Sequence, residues 1–281
     1  MPELPEVEIT ARLIGAAVAG AEVESAMAPG INALRSFDPP LSALEGRALT
    51  GVSRRGKLFV VGIEGGLSLL IHLMSAGRLQ LFDTRASLRD RASRLLVRLV
   101  DGRELRLREF GTRQAAWVKL LTAEGLESEE MIAALGPEAW PYPPPLAPLL
   151  DAPRPLHAML RDQRVIAGVG RSWVDEILHA AKLSPFKRGA ELSEHDAAAL
   201  REALGGQLGR ALAHYEANLS LPIPDKLPMP LLVHRRNGEP CPRCGARLEA
   251  VFYEDHVMCY CPVCQTDGKV LKDRRLSRLL K

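Results

Sequence analysis

The alternation of apolar and polar side chains predicts strands in the first half of the chain and helices in the second. Residues 5–20 place apolar side chains at helical spacing, which indicates a helix close to the N-terminus. Residues 47–121 hold several short apolar runs, and Asp101-Gly102 follows the last of them as a hairpin signal. This half is therefore expected to form an antiparallel β-sandwich that ends near Leu121.

Helical patterns follow a proline-rich stretch at residues 141–155, which has the composition of a linker. Residues 157–162 and 171–182 have helical patterns, and glycines break them in between. The pattern predicts two helices joined by turns. Taken alone, it favours an ordinary helical bundle.

A longer helix is predicted after Ser193. Ser193 has the residue type of an N-cap, and Asp196 lies three residues later, as in a capping box. The helix would run toward Ala217. A second proline cluster, at residues 222–230, separates it from the C-terminal region.

These patterns divide the chain into three regions. We expect a catalytic sandwich domain at residues 1–126, a helical domain at 127–230 and a cysteine module with a basic tail at 231–281. The predicted fold class is a multidomain α+β protein. With 281 residues, 47% of them hydrophobic, the chain is long enough for two domains and a small module.

The composition also bears on the cellular setting. No apolar run reaches the length of a membrane span, and the acidic start is unlike the basic beginning of a signal peptide. Five cysteines, four of them in CxxC pairs, favour a metal site over disulfides. We therefore expect a soluble protein in the reducing cytoplasm.

Charge is distributed unevenly along the chain, although the net charge is only +3. Residues 231–281 carry 10 basic and 6 acidic side chains, whereas the other 230 residues carry 27 and 28. The cysteine module and its tail are thus the basic part of the protein. A local basic patch of this kind is typical of contact with a polyanion.

Four cysteines have the spacing of a zinc site. Cys241, Cys244, Cys261 and Cys264 form two CxxC pairs with sixteen residues between them. Four thiolates complete a tetrahedral shell and leave no open position, so one Zn²⁺ here would be structural and not catalytic. The alternative is a set of four unligated thiols. Cys259 falls outside the CxxC pattern and is expected to be packed or free.

The first residues, Met1-Pro2-Glu3, carry candidate chemistry. Aminopeptidases remove an initiator methionine readily before a small residue, and Pro2 would then present a free secondary amine. Such an amine forms a permanently charged iminium with an aldehyde-level sugar carbon. Glu3 is placed to act as a general acid or base for that step. The alternative is a frayed terminus that happens to contain proline.

Several further motifs follow one another in a set order along the chain. They are Arg54-Arg55-Gly56-Lys57, Arg108-Glu109-Phe110-Gly111, Leu135-Gly136-Pro137-Glu138, Leu160-Arg161-Asp162-Gln163 and Ala167-Gly168-Val169-Gly170. With the two termini, these motifs resemble the formamidopyrimidine-DNA glycosylase / endonuclease VIII family of DNA glycosylases, and the resemblance covers nearly the whole chain.

The resemblance implies a fold and an activity. The fold would be an N-terminal β-sandwich, a helix-two-turn-helix DNA-binding domain and a zinc-binding β-hairpin. The activity would be that of a bifunctional DNA glycosylase and AP lyase of base-excision repair. Its partner would be double-stranded DNA that contains a damaged base or an abasic site, bound by a monomer associated with the nucleoid.

The resemblance also assigns roles near the catalytic end. Pro2 would be the nucleophile at C1′, Glu3 would protonate or orient the sugar, and Glu6 would be a supporting carboxylate. Lys57 would reach the DNA phosphate or sugar, its alternative being a solvated hairpin lysine.

A damaged base must leave the helix before it can react, and the resulting gap must be filled. The resemblance assigns Phe110 as the wedge and Arg108 as the contact to the orphaned base. Met74 is a second candidate wedge, with an ordinary core methionine as the alternative. It lies one position earlier than the family's methionine, which on a strand would reverse its face.

Three expected phosphate contacts depart from the family's pattern. His157 stands where the family has a lysine, Arg171 where it has an asparagine, and His256 where it has an arginine. Histidine is mostly neutral at physiological pH, so whether δ-elimination survives stays open. The chain also continues past Gln265 with a basic segment that is expected to form a helix.

Two rival functions remain at this point. The first is a catalytically silent or lyase-only protein that binds damaged DNA on the same scaffold. The second is a zinc-dependent hydrolase, which the closed four-cysteine shell disfavours. The preferred lesion also stays open among oxidised pyrimidines, formamidopyrimidines, 8-oxoguanine and abasic sites.

Overall fold

The computed structural model describes residues 2–30, 32–87, 89–111 and 113–272. The chain divides into a first unit of residues 1–134 with 212–228 and a second unit of residues 135–211 with 229–281. The expected three-part division, with boundaries after residues 126 and 230, stays a prediction. The expected basic helix of the tail lies largely outside the described residues.

The first unit is built on eight strands. They are β1 (Val23–Met27), β2 (Leu49–Arg55), β3 (Leu58–Ile63), β4 (Leu67–His72), β5 (Gly77–Phe82), β6 (Ser93–Leu99), β7 (Glu104–Glu109) and β8 (Trp117–Thr122). They form two four-stranded antiparallel sheets, in the orders β1-β6-β7-β5 and β2-β3-β4-β8. The last strand ends one residue beyond Leu121, and the predicted Asp101-Gly102 turn joins β6 to β7.

Helix α1 (Leu4–Val18) shares a hydrophobic core with both sheets. Its buried face includes Val7, Ile14 and Val18, as the helical spacing predicted. Gly15 allows close approach, because a Cβ there would lie 3.0 Å from the backbone nitrogen of Val52 on β2. The predicted β-sandwich is thus confirmed, with one helix packed against it.

β1 is a strand that the apolar pattern did not predict. Only Val23 of its five residues is fully buried, and the strand lies at the edge of its sheet. Edge strands carry few core residues, so the alternation of apolar and polar side chains is weak there. Short helices α2 (Ala123–Glu127) and α3 (Glu130–Ala133) follow β8.

In the second unit, α4 (Ala147–Leu150) lies within the stretch predicted as a linker. That prediction was wrong for these four residues, because proline is tolerated in the first turn of a helix and Leu146 and Leu150 are buried. Helices α5 (Leu156–Arg161) and α6 (Arg171–Ala180) follow.

The turn between α5 and α6 is held by Gln163. Its side-chain amide donates to the carbonyl of Val169 at 2.7 Å, and its oxygen accepts from the amide of Gly168 at 2.9 Å. Gly168 has a φ of +107°, which suits glycine. The motif residues therefore build the connection between the two predicted helices.

Helix α7 (Glu194–Asn218) begins where the sequence predicted. The amide of Asp196 donates to the Ser193 hydroxyl at 3.1 Å, and the amide of Ser193 donates to the Asp196 carboxylate at 3.3 Å. These two bonds satisfy orphan donors at the helix start. The helix belongs to the second unit through Ala211 and to the first unit from Leu212.

The second unit ends in a β-hairpin, β9 (Glu249–Phe252) and β10 (Val257–Tyr260), followed by α8 (Pro262–Thr266). Small clusters of buried side chains line the hairpin, too few to form a core of ordinary size. Across the described part of the chain, the helices lack the combined length and apolarity that crossing a bilayer demands.

Candidate functional site

The N-terminal segment brings three predicted residues together at the start of α1. Glu3 is the N-cap, and its carboxylate accepts from the amide of Glu6, while the Glu6 carboxylate accepts from the amide of Glu3 at 2.9 Å. Both glutamates are 2% exposed, whereas Pro2 is half-buried. A reciprocal capping box of this kind fixes the backbone that immediately follows Pro2.

Tyr215 supports this arrangement from α7. Its hydroxyl donates to Oε1 of Glu6 at 2.8 Å. Burial, followed by the nearby charges of Glu6 and Glu3, raises the pKa of Tyr215 well above its ordinary value. The phenol therefore remains a neutral hydrogen-bond donor at every physiological pH.

Lys57 lies in the turn between β2 and β3, beside Gly56 with its φ of +56°. The turn is tied to α1 because Nε of Arg54 donates to Oε2 of Glu8 at 2.6 Å, and Arg54 also donates to the carbonyl of Gly56 at 3.3 Å. This geometry accounts for Arg54 and Gly56 of the motif. The arginine holds the turn on the helix that carries Glu3.

His72, at the end of β4, is a polar residue for which the sequence suggested no role. Its ring stacks on Trp117 with centroids 5.5 Å apart, and its Nδ1 accepts from the amide of Met74 at 2.8 Å. Burial and the charges of Arg35 and Lys57 lower the pKa of His72 to about 4. The imidazole is therefore neutral, with its proton on Nε2 available for donation.

Met74 lies in the turn after β4, and it has a φ of +49°. The expected reversal of its face does not apply, because alternation of faces holds only within a strand. The carbonyl of Ala76 in the same turn accepts from the amide of Phe110 at 3.4 Å. The two predicted wedge residues therefore belong to adjacent loops.

Arg108 and Phe110 flank the end of β7. The Arg108 guanidinium lies 4.8 Å from the Phe110 ring centroid and 3.1 Å from the Asp225 carboxylate. It also lies 3.3 Å from the side-chain oxygen of Gln80. The predicted base contact is thus already engaged within the protein.

Glu109, between these two residues, anchors the loop at its base. Its carboxylate accepts from the amide of Ala116 at 2.8 Å and lies 3.7 Å from the buried guanidinium of Arg94. Glu109 is 2% exposed. Its hydrogen bond with Ala116 ties the last residue of β7 to the residue before β8.

The predicted phosphate contacts come together in the second unit. The rings of His157 and His256 are stacked with centroids 5.7 Å apart, and Tyr253 covers the other face of His256 at 4.5 Å. Asp255 accepts from Arg171 and lies 2.7 Å from Nδ1 of His256. One carboxylate therefore faces both expected cationic contacts.

His157 is the buried member of this stack, with only 5% of its surface exposed. Its Nε2 lies 3.3 Å from Oδ1 of Asp175, whose other oxygen lies 2.6 Å from Nδ1 of His234 and accepts from the amide of Cys259. This position orients the His256 ring from below. A direct phosphate contact by His157 stays a prediction, and its burial disfavours that role.

The four predicted cysteine ligands converge beside the hairpin, and their sulfur atoms all lie within 4.8 Å of one another. The Sγ–Sγ distance is 3.9 Å for Cys241 and Cys264 and 3.5 Å for Cys244 and Cys261. Tetrahedral zinc with sulfur at about 2.3 Å requires sulfur atoms roughly 3.8 Å apart. The cluster therefore fits a tetrahedral metal ion.

The surroundings of the cluster fit a structural site as well. Nε2 of His179, on α6, lies 3.2 Å from the sulfur of Cys241, and Arg243 donates to the carbonyls of His179 and Ala180. Such outer contacts orient metal ligands. Cys259 is separate, since its buried sulfur accepts from the amide of Arg235 and burial raises its pKa to about 11.

Comparisons with known proteins agree with this geometry. The formamidopyrimidine-DNA glycosylase N-terminal domain family matches residues 1–114, and the formamidopyrimidine-DNA glycosylase H2TH domain family matches residues 147–221. Formamidopyrimidine-DNA glycosylase from Thermus thermophilus is 33% identical over 289 residues, which covers 95% of this chain and 100% of the relative. The Roseiflexus enzyme of the same name is 31% identical, with coverage of 94% and 100%.

Solved structures give the same result. Lactococcus lactis Fpg in complex with DNA containing N7-benzyl-Fapy-dG has a TM-score of 0.83 at 26% identity, covering 94% of this chain and 100% of that one. The same protein with DNA containing an oxidised pyrimidine has a TM-score of 0.82, with the same identity and coverage. MutM (Fpg) from Thermus thermophilus has a TM-score of 0.78 at 31% identity, covering 95% and 100%.

Proposed function

Since the chain belongs to the formamidopyrimidine-DNA glycosylase / endonuclease VIII family, we propose that it excises oxidised bases from double-stranded DNA and cleaves the strand through an iminium at Pro2. The observation that carries this proposal is the N-terminal capping box. It holds two buried glutamates directly behind a proline whose nitrogen becomes a secondary amine once Met1 is removed.

In the first half of the reaction, the Pro2 nitrogen replaces the damaged base at C1′ of the sugar. The Pro2 nitrogen uses its lone pair to form a bond to C1′, and the bond from C1′ to the base breaks, with the base leaving as the acceptor of that electron pair. Glu3 donates a proton to the ring oxygen as the C1′–O4′ bond opens. The proton that the proline nitrogen loses neutralises the departing base, and a positively charged iminium joins the protein to the sugar.

The second half of the reaction depends on the positive charge of the iminium. The iminium acidifies the hydrogens on C2′. One of them passes as a proton to water, and the 3′ C–O bond breaks with its electron pair on the phosphate, which completes β-elimination. A second elimination can expel the 5′ phosphate. Water then hydrolyses the iminium, which returns the free amine of Pro2 and releases the sugar fragment as an aldehyde.

DNA has to be held and opened for this chemistry. We propose that Lys57 neutralises a phosphate or sugar oxygen beside the reacting nucleotide, while neutral His72 donates from Nε2. Phe110 and Met74 would fill the gap left by the flipped base, since they belong to adjacent loops. Arg108 would hydrogen-bond the orphaned base after leaving Asp225.

The second unit would bind the DNA backbone. We infer that Arg171 and His256 contact phosphate, because both already bind one anionic side chain, that of Asp255. We also infer that the four-cysteine cluster holds one Zn²⁺, which would keep the hairpin folded. Thiolate ligands require a reducing setting, which supports a cytoplasmic location, and we expect the protein to act as a monomer.

Borohydride trapping tests the proposed function. Purified protein should form a covalent complex with abasic DNA, and with at least one oligonucleotide carrying Fapy-dG, 8-oxoguanine or an oxidised pyrimidine. Pro2→Gly should weaken trapping, and protein that retains Met1 should lose it. Specific binding to lesions without trapping would instead identify a silent DNA-binding protein, whereas undiminished trapping with Met1 retained would place the nucleophile elsewhere.

A further inference from the structure

We propose that Tyr215 is a positioning residue for the catalytic N-terminus, an inference that rests on the proposed function. Tyr215 lies on α7, 209 residues away in sequence from Glu6, and its hydroxyl donates to Oε1 of Glu6 at 2.8 Å. The tyrosine side chain is fully buried, with 0% exposed. Its hydroxyl therefore has no access to bulk water in this arrangement, and Glu6 is its partner.

Glu6 links the Tyr215 hydroxyl to Glu3 and Pro2 at the reacting end of the chain. Its second oxygen, Oε2, accepts from the amide of Glu3 at 2.9 Å, while the Glu3 carboxylate accepts from the amide of Glu6. Pro2 is bonded directly to Glu3. A hydroxyl that fixes the Glu6 carboxylate therefore also restrains the direction from which the Pro2 nitrogen approaches C1′.

The chemistry of a phenol suits this position better than that of a cation. Two buried carboxylates, Glu3 and Glu6, need donors, because burial without them is costly. Arg78 on β5 already directs one positive charge at Glu6, and a further arginine or lysine would add to the charge that opposes iminium formation. Tyr215 supplies a donor without charge, and its raised pKa keeps the proton in place.

Tyr215→Phe tests this role, because it removes the hydroxyl and keeps the ring. Under single-turnover conditions with saturating DNA, we expect base excision and borohydride trapping to slow about tenfold, as expected for a lost hydrogen bond to a charged group. DNA affinity should change less than about twofold, since the hydroxyl contacts the protein and not the DNA backbone. The acidic limb of the pH–rate profile should move to higher pH, because a carboxylate that loses a donor is protonated more easily. Arg78 on β5 favours the charged form of Glu6 in both proteins, so the difference between their profiles reports the lost hydroxyl.

Two further variants distinguish a positioning role of Tyr215 from a general effect of removing a tyrosine hydroxyl. Tyr142→Phe removes the same atom from a side chain that is 88% exposed, and it should leave every rate unchanged. Glu6→Gln should slow the reaction by itself. In the double variant Tyr215→Phe/Glu6→Gln, the two effects should be strongly non-additive, since both act through one carboxylate.

The outcomes are distinct. If the unaltered protein neither excises nor traps, the proposed function fails and this inference falls with it. If the unaltered protein is active and Tyr215→Phe keeps its full rate and pH profile, Tyr215 has no positioning role. Additive effects of the two variants overturn the inference as well. Should Tyr215→Phe fail to fold by circular dichroism, an unchanged rate in Glu6→Gln overturns it.

Discussion

Arg108 and Asp225 form an ion pair in the first unit, with Nη1 of the arginine 3.1 Å from Oδ1 of the aspartate. The same aspartate oxygen accepts from the side-chain amide of Gln80, and its main-chain carbonyl accepts from Arg78 at 2.7 Å. The segment around Asp225 is thereby attached to β5 and β7. In the proposed base contact, Arg108 would leave this carboxylate for the orphaned base.

Asp225→Asn should therefore strengthen binding to DNA that contains an abasic site. An ion pair of which one partner is mostly exposed contributes at most about 1 kcal/mol, so we expect roughly a two- to fivefold lower Kd in a fluorescence-anisotropy titration. Asp83→Asn makes the same charge change at another exposed position of this unit. Equal gains in both variants would mean that net charge, and not release of Arg108, causes the effect.

Loss of a metal ligand should uncouple DNA binding from the chemistry at Pro2. Cys261→Ser removes one of the four clustered sulfur atoms, so zinc content should fall well below one per chain and the hairpin should unfold. DNA affinity should drop by more than the trapping rate at saturating DNA. Atomic absorption and anisotropy measure the two effects.

Cys259→Ser is the matched control for that variant. Its sulfur lies outside the cluster and accepts from the amide of Arg235, and a serine hydroxyl can accept the same bond. Zinc content and binding should stay close to those of the unaltered protein. Loss of zinc in this variant would show that the ligands are wrongly assigned.

Acidification should strengthen DNA binding through His256. Burial lowers the pKa of His256 below its usual value of 6.5, although the carboxylate of Asp255 opposes the shift. The imidazole is therefore neutral at neutral pH, and it gains its charge only as the pH falls below that usual value. Binding and δ-elimination should both increase over that acidic range, and at neutral pH the β-elimination product should predominate.

His256→Arg should remove this pH dependence, because arginine is charged at every accessible pH. Its products at neutral pH should shift toward the δ-elimination end, as measured on denaturing gels of end-labelled DNA. The salt dependence of binding should steepen by about one phosphate contact. A product ratio that responds neither to pH nor to this substitution would contradict the assignment of His256.

Local sequence determined those features of the protein that depend on spacing within a few residues. The two CxxC pairs identified the four cysteines that cluster, Ser193 and Asp196 identified the start of α7, and Asp101-Gly102 marked a hairpin. In each case the interacting atoms are close in the chain. Residue type and local backbone geometry are therefore enough to predict these features without knowledge of the rest of the fold.

Only the tertiary structure decided which distant side chains complete these sites. Tyr215 and Asp225 lie in or beyond the last turn of a helix, where neither their type nor their neighbours indicate a partner, yet they contact Glu6 and Arg108. The burial of His157 beneath His256 likewise arises from packing between separate elements. Such contacts depend on how strands and helices pack, because the atoms involved are brought together only by the folded core.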